Sequence, residues 1–442
     1  MKPTTAWLVA GAATAALLWG AARARPPVLP EPDAAALVAA RAAADSLTVR
    51  RAREIALYER RAREDTMSAA DLAQLAGLFL QRSRETGSYE DFRRAERTAR
   101  RSLALRTSRN EKTLLTLASS LLAQHHFADA RTVAQALVAR DPDRASYRAL
   151  LAEIHLELGA YDSAAHHFAL LRPARAELAV APRLARWAEL QGRTDEARRI
   201  LYDARDAATR RADLPREQLA WFHLRVADLE LRNGRLREAT RALAAGLAVD
   251  PLDRRLLAAA ARLAAARRDW RGVLAWGARA GAGADIATLA LMGDAHRALG
   301  DSVAAERCYA AAEHAAAVTP EPFNRQWTLF RLDHGRALPA TLRLLQREIR
   351  QRPDVYGWDQ LAWALLLNGR PEDARAAMAP ALRLGTRDAM LLAHAAAIAR
   401  ATGHDAEARR YADAARAVNP HLWPLPQAPA PRAPAQLAGG PR

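Results

Sequence analysis

Apolar and polar positions recur along this 442-residue chain with the period of an α-helix almost from end to end. The exception stands at the start. Ala6 to Ala22 (AWLVAGAATAALLWGAA) is the only long run without a charge, preceded by Lys2 and followed by Arg23 and Arg25. It is short for a membrane span and suits the core of an export signal, and Ala22-Arg23-Ala24 supplies the small-x-small pattern of a cleavage site. Residues 1–24 are therefore expected to be a signal peptide, with Arg25 as the mature N-terminus. An uncleaved anchor is the alternative, because the flanking positive charges nearly balance. No Cys follows the run, which excludes a lipoprotein anchor.

Pro26, Pro27, Pro30 and Pro32 then mark a hinge, and Asp33 to Asp65 reads as one or two capping helices, with Ser68 and Asp71 as a capping pair for the next. Residues 25–67 form this entry segment. From 68 to 422 the pattern repeats. A small residue starts every second helix: Ala95, Ala130, Ala164, Ala197, Ala239, Val273, Ala305, Ala340, Ala374 and Ala408, at intervals of 35, 34, 33, 42, 34, 32, 35, 34 and 34. Gly precedes seven of them by five residues (Gly159, Gly192, Gly234, Gly300, Gly335, Gly369, Gly403), with His125 and Arg268 in two of the remaining slots. Pro142, Pro251 and Pro420 follow twelve residues later, and Pro353 thirteen. Residues 423–442, with Pro at 424, 426, 429, 431, 434 and 441, are expected to be a disordered tail.

Each marker has a mechanical reason. The Gly ends the first helix in a left-handed conformation that disfavours a side chain. The small residue lies where two helices cross most closely, and the Pro stops the second helix. The set resembles the tetratricopeptide repeat: one unit reads Leu151-Ala152, Gly159, Tyr161, Ala164, Phe168, another Trp358, Leu361-Ala362, Gly369, Ala374, Ala381. The resemblance implies an all-α, right-handed α-solenoid of about ten helix-turn-helix units. The 42-residue interval predicts a longer loop around Arg210 to Arg216. In such a solenoid each unit is expected to touch only its neighbours.

Composition excludes much else. Few β-branched residues and abundant Ala rule out an all-β fold, and charges interrupt every later apolar run, which rules out a polytopic membrane protein. Cys308 is the lone Cys, so neither an internal disulfide nor a Cys-based zinc site can form. Its place inside a second helix reads as a buried, inert thiol. The net charge is +17, with 66 basic residues of which only Lys2 and Lys112 are lysines. The Arg residues are interleaved with Asp and Glu rather than massed, which points to solvated helix faces and away from nucleic acid. No motif of hydrolase, zinc protease or phosphate loop is present, and no cofactor is implied. His155, His166 and His167 could meet a metal only awkwardly, since adjacent residues on a helix diverge by about 100°; surface or seam histidines are the simpler reading.

Function is therefore sought on the surface. The resemblance implies that first helices line a concave groove, with positions 2, 5, 9, 12 and 13 pointing into it. Position 9 carries Ser119, Glu153, Arg186, Asp228, Arg262, Asp294, Leu329 and Trp363, with no Asn, which disfavours a clamp for a C-terminal carboxylate. Aromatic and Arg side chains, which most often carry interface energy, concentrate at Trp221, Arg255 and Arg262, and again at Arg325, Tyr356, Asp359 and Trp363. These seven are the candidate contact residues. The alternating charges are also compatible with salt bridges between repeats. The chain is expected to be a non-enzymatic scaffold of the bacterial envelope, periplasmic or secreted, that binds a protein or peptide. The alternative is an accessory subunit of an envelope assembly or export system whose activity resides in another chain.

Overall fold

The structure, a computed structural model, describes residues 28–30, 34–281, 284–318 and 322–421. The export run, most of the Pro-rich hinge and the C-terminal tail lie outside the described residues. Among the described residues there are 21 α-helices and no strand. Helix α1 (Ala34–Glu64) is a single long helix, followed by ten helix pairs. Units 1 to 3 are α2 (Ala69–Thr86) with α3 (Tyr89–Leu105), α4 (Glu111–Ala123) with α5 (Phe127–Arg140), and α6 (Ala145–Glu157) with α7 (Tyr161–Leu170). Units 4 to 6 are α8 (Ala181–Leu190) with α9 (Thr194–Thr209), α10 (Arg216–Arg232) with α11 (Leu236–Val249), and α12 (Arg254–Ala266) with α13 (Trp270–Ala280). Units 7 and 8 are α14 (Ile286–Ala298) with α15 (Ser302–Val318) and α16 (Arg325–Asp333) with α17 (Leu338–Glu348). Units 9 and 10 are α18 (Val355–Leu367) with α19 (Pro371–Leu382) and α20 (Ala389–Ala401) with α21 (Asp405–Val418). The fold is an all-α solenoid of helix-turn-helix pairs, as the repeat markers predict.

The close crossings are where the small residues stand. Ala95, Ala130, Ala164, Ala197, Ala239, Val273, Ala305 and Ala374 have no exposed surface, and Ala408 almost none. Unit 8 departs from the pattern. Ala340 is only half-buried, and Thr341, the fourth residue of α17, takes the sealed place instead, its hydroxyl donating to Ala337 O at 3.2 Å. All seven marker glycines have positive φ, and His125 (φ 62°) and Arg268 (φ 58°) adopt the same left-handed turn. The helix-ending function therefore survives without Gly. Ser68 caps α2 by accepting from Asp71 N at 3.3 Å, and residues 210–215 form the expected longer loop.

Successive first helices pack on one another, α6 on α8, α10 on α12, α12 on α14 and α18 on α20, and make the inner layer of the coil. The expectation that units touch only their neighbours fails. After about six units the coil meets itself along a seam. The Val355 N–H donates to the Tyr161 hydroxyl at 2.8 Å, the Thr386 hydroxyl to Leu190 O at 2.6 Å, Arg383 to Gly159 O at 2.8 Å, and Asn419 to Leu231 O at 3.2 Å. Arg352 pairs with Glu157. Three marker glycines permit this approach. A Cβ on Gly159, Gly192 or Gly234 would lie 2.4 Å from Pro353 O, 2.5 Å from Gly385 O or 2.7 Å from Pro420 Cδ, respectively. The physical cause is accumulated curvature: small rotations per repeat bring the turns of units 3 to 5 against the loops that precede unit 9, precede unit 10 and follow it.

The opposite rim closes as well. Gln81 of unit 1 donates to Glu217 of unit 5 at 2.8 Å, and the Arg254 guanidinium covers Gly87. Ahead of α1, Leu29 is only 6% exposed and joins the apolar core of units 4 to 7.

Candidate functional site

Because both rims close, the concave face of units 3 to 6 becomes a lumen with a cavity of about 1150 Å3. Its wall comes from the first helices α6, α8, α10 and α12, from the loops between α7 and α8 and between α9 and α10, and from the ends of α2 and α9. Arg84, Arg183, Arg186, Arg211, Arg225 and Arg255 line it, opposed by Glu153, Glu157, Glu177 and Glu217. Arg183 pairs with Glu153 at 2.7 Å and Arg211 with Asp213 at 2.6 Å. Glu189 serves three guanidinium groups: Arg232 in a short contact, Arg225 at 3.3 Å and Arg186 at 3.9 Å.

The protein environment decides the charge states. Burial opposes ionisation of Glu157, but the guanidinium groups of Arg352, Arg325 and Arg186 outweigh it and hold the carboxyl below its ordinary pKa. Glu189 is held down in the same way by Arg232, Arg225 and Arg186. Desolvation pulls Arg84 and Arg225 below the ordinary arginine value, against the opposing charges of Glu217 and of Glu189.

The seven sequence-predicted residues divide four ways. Trp221 and Arg255 line the lumen. The Trp221 ring is half-buried, edge-on to Phe222 at 5.1 Å, and Arg255 is steadied by Asp253 at 2.5 Å and Glu217 O at 3.2 Å. Arg325 and Tyr356 belong to the seam. Arg325 pairs with Asp354, and Tyr356 of unit 9 receives the guanidinium of Arg186 of unit 4 over its ring at 5.0 Å. Arg262 spans two first helices, donating to Asp228 at 2.7 Å, so at this pair the charges are an inter-repeat bridge.

Asp359 and Trp363 require correction: neither presents itself to the groove. Trp363 has no exposed surface and stacks on His394 of α20 with ring centroids 4.4 Å apart, while His394 Nδ1 bonds Asp359 Oδ1 at 2.9 Å. The cause is the close packing of α18 on α20, which turns position 9 of unit 9 into an inter-repeat core. Conversely, the candidate set omits Arg84, Arg183, Arg211 and Arg225. Arg84, eleven residues before Ala95 and three before Gly87, falls on a groove position but was not chosen, and Arg211 stands in a loop, where the repeat gives no register. Arg183 and Arg225 sit three residues ahead of position 9, a row left outside the groove set.

Elsewhere, His155 stacks on His167 at 5.5 Å. Among the described residues no cluster of His, Cys, Asp or Glu is arranged to hold a metal ion, and no helix is long and apolar enough to cross a membrane. Cys308 is half-buried rather than fully buried, and burial raises its thiol pKa.

No family model matches the chain, and no curated protein matches it. Among solved structures, a tetratricopeptide repeat protein from Parabacteroides merdae is 14% identical over 62% of this chain and 99% of its own, with a TM-score of 0.39. The APC/C hetero-tetramer Cut9-Hcn1 is 12% identical over 83% of this chain and 90% of its own, with a TM-score of 0.33. The human IFIT1 dimer with PPP-AAAA is 12% identical over 80% of this chain and 84% of its own, with a TM-score of 0.43. The chain is similar to these three to that extent.

Proposed function

We propose that the chain is a non-enzymatic interaction scaffold that holds a peptide or helix of a protein partner against its concave face, and that it works in the bacterial envelope. The observation that supports the first part is the lumen: a large cavity walled by guanidinium groups and carboxylates with the half-buried Trp221 among them. Such a surface offers many weak polar contacts and one aromatic anchor, the combination used to seat a chain segment along several repeats.

Two truncations test it. Trp221→Ala weakens partner capture by crosslinking pull-down, at about 2 kcal/mol for a true anchor, while Trp363→Ala lowers the melting temperature, at about 3–5 kcal/mol for a sealed aromatic, and leaves capture intact. Capture that survives Trp221→Ala and fails with Trp363→Ala at unchanged stability contradicts the assignment. The envelope part rests on the run Ala6 to Ala22 and its small-x-small end. Sequencing of the native N-terminus gives Arg25 on this reading, and a start at Met1 or Lys2 removes the cleavage step.

A further inference from the structure

The lumen's charges are not matched one to one. Its lining holds six guanidinium groups against four carboxylates. Of the carboxylates, Glu153 is taken by Arg183, Glu157 by Arg352 of the seam, and Glu217 accepts from Gln81. On the cationic side Arg84 has no hydrogen-bond or ion-pair partner among the described residues, and Arg225 shares the single carboxylate of Glu189 with Arg232 and Arg186. Desolvation disfavours the charged form of the half-buried Arg225, and Arg84 is exposed into the cavity without a partner among the described residues, so both would gain from an anion brought into it. Trp221 stands one turn before Arg225 on α10, placing an apolar platform beside the guanidinium.

We propose that the lumen selects an extended peptide bearing acidic side chains, its carboxylates received by Arg84 and Arg225 and an intervening apolar side chain resting on Trp221. This rests on the peptide-binding reading above and adds the chemistry of the peptide. A guanidinium fork receives a carboxylate through two parallel hydrogen bonds, which gives orientation as well as attraction. Nucleic acid suits the wall less. Of the two aromatic rings in the lining Phe222 is buried, so no series of stacking platforms for successive bases exists.

Fluorescence anisotropy of the full chain with four labelled probes tests the proposal: an alternating Glu–Leu peptide, Gln–Leu and Lys–Leu peptides of equal length, and an oligouridylate. The Glu–Leu peptide should bind at least about tenfold more tightly than the others and weaken as salt rises. Arg84→Gln, which breaks no hydrogen bond or ion pair among the described residues, should weaken it by about tenfold with an unchanged melting temperature, Arg225→Gln should act in the same direction, and the exposed Arg409→Gln should change nothing. Equal binding of all three peptides overturns the acidic selectivity and leaves the peptide-binding reading standing. Glu–Leu binding untouched by both Arg84→Gln and Arg225→Gln overturns the assignment to the lumen. Oligouridylate binding that exceeds Glu–Leu and depends on Arg84, or no peptide binding at all, overturns the inference and the parent reading together.

Discussion

At the ninth position of the repeat, one register holds quite different residues. Glu153 and Arg186 face the lumen, Arg262 bridges to Asp228, and Trp363 is sealed under His394. The sequence made the register legible but not the exposure, because exposure depends on what the next first helix places opposite. The histidines give this scale its prediction. Burial lowers the His155 pKa, and His167 is lowered to about 4 by burial and by neighbouring His155 and Arg148. Nδ1 of each ring is buried with no hydrogen-bond partner, as suits neutral imidazoles. A depressed folded-state pKa means that the unfolded chain takes up the proton first. Their contribution is then complete above about 6.5, the ordinary histidine value, and is lost as pH falls toward about 4. His394 works in the opposite direction: burial lowers its pKa, Asp359 more than restores it, and its contribution fades as pH rises above about 6.5. Melting curves should show the acid limb beginning above the carboxylate range, and His155→Leu with His167→Gln should flatten it between pH 6.5 and 5. An unchanged limb would assign the acid sensitivity to carboxylates alone.

At the scale of the element, the helix pairs were readable because each marker acts locally: a left-handed turn, a small crossing residue, a stop. Thr341 in place of Ala340 shows the limit. The spacing pointed to Ala340, but α17 begins after Ala337 in a left-handed conformation (φ 46°), which moves the crossing on by one residue. Gly159 and Gly403 occupy the same slot with φ 64° and 76°, yet only Gly159 has backbone pressed against it. Gly403→Ala should therefore cost about 1–2 kcal/mol, the strain of a left-handed alanine. Gly159→Ala should cost about 1–3 kcal/mol more, because its methyl overlaps Pro353 O. Chemical denaturation of the two variants decides this; equal losses would mean that the turn of unit 3 is free of the seam.

The whole molecule was the least legible. Seam partners lie 188 to 224 residues apart in the hydrogen bonds of Asn419 and Arg383, and nothing in either segment announces the other. Their meeting follows from curvature summed over about six units, which no local pattern encodes. Closure changes the thermodynamics expected of a repeat array: units 9 and 10 stabilise units 3 to 5 as well as each other, so the nearest-neighbour description does not hold. It also changes the function, since an open groove becomes a lumen with two rims. The most direct test is a distance across the seam, measured by electron spin resonance between labels on Arg193→Cys and Arg387→Cys in a chain carrying Cys308→Ser. Both positions are exposed, and they flank the contact of Gly192 with Gly385 and Arg387. A closed coil gives one narrow distribution at short range. A broad or long distribution, as expected if six intervening units hold the labels apart on an open coil, would contradict the lumen and everything built on it.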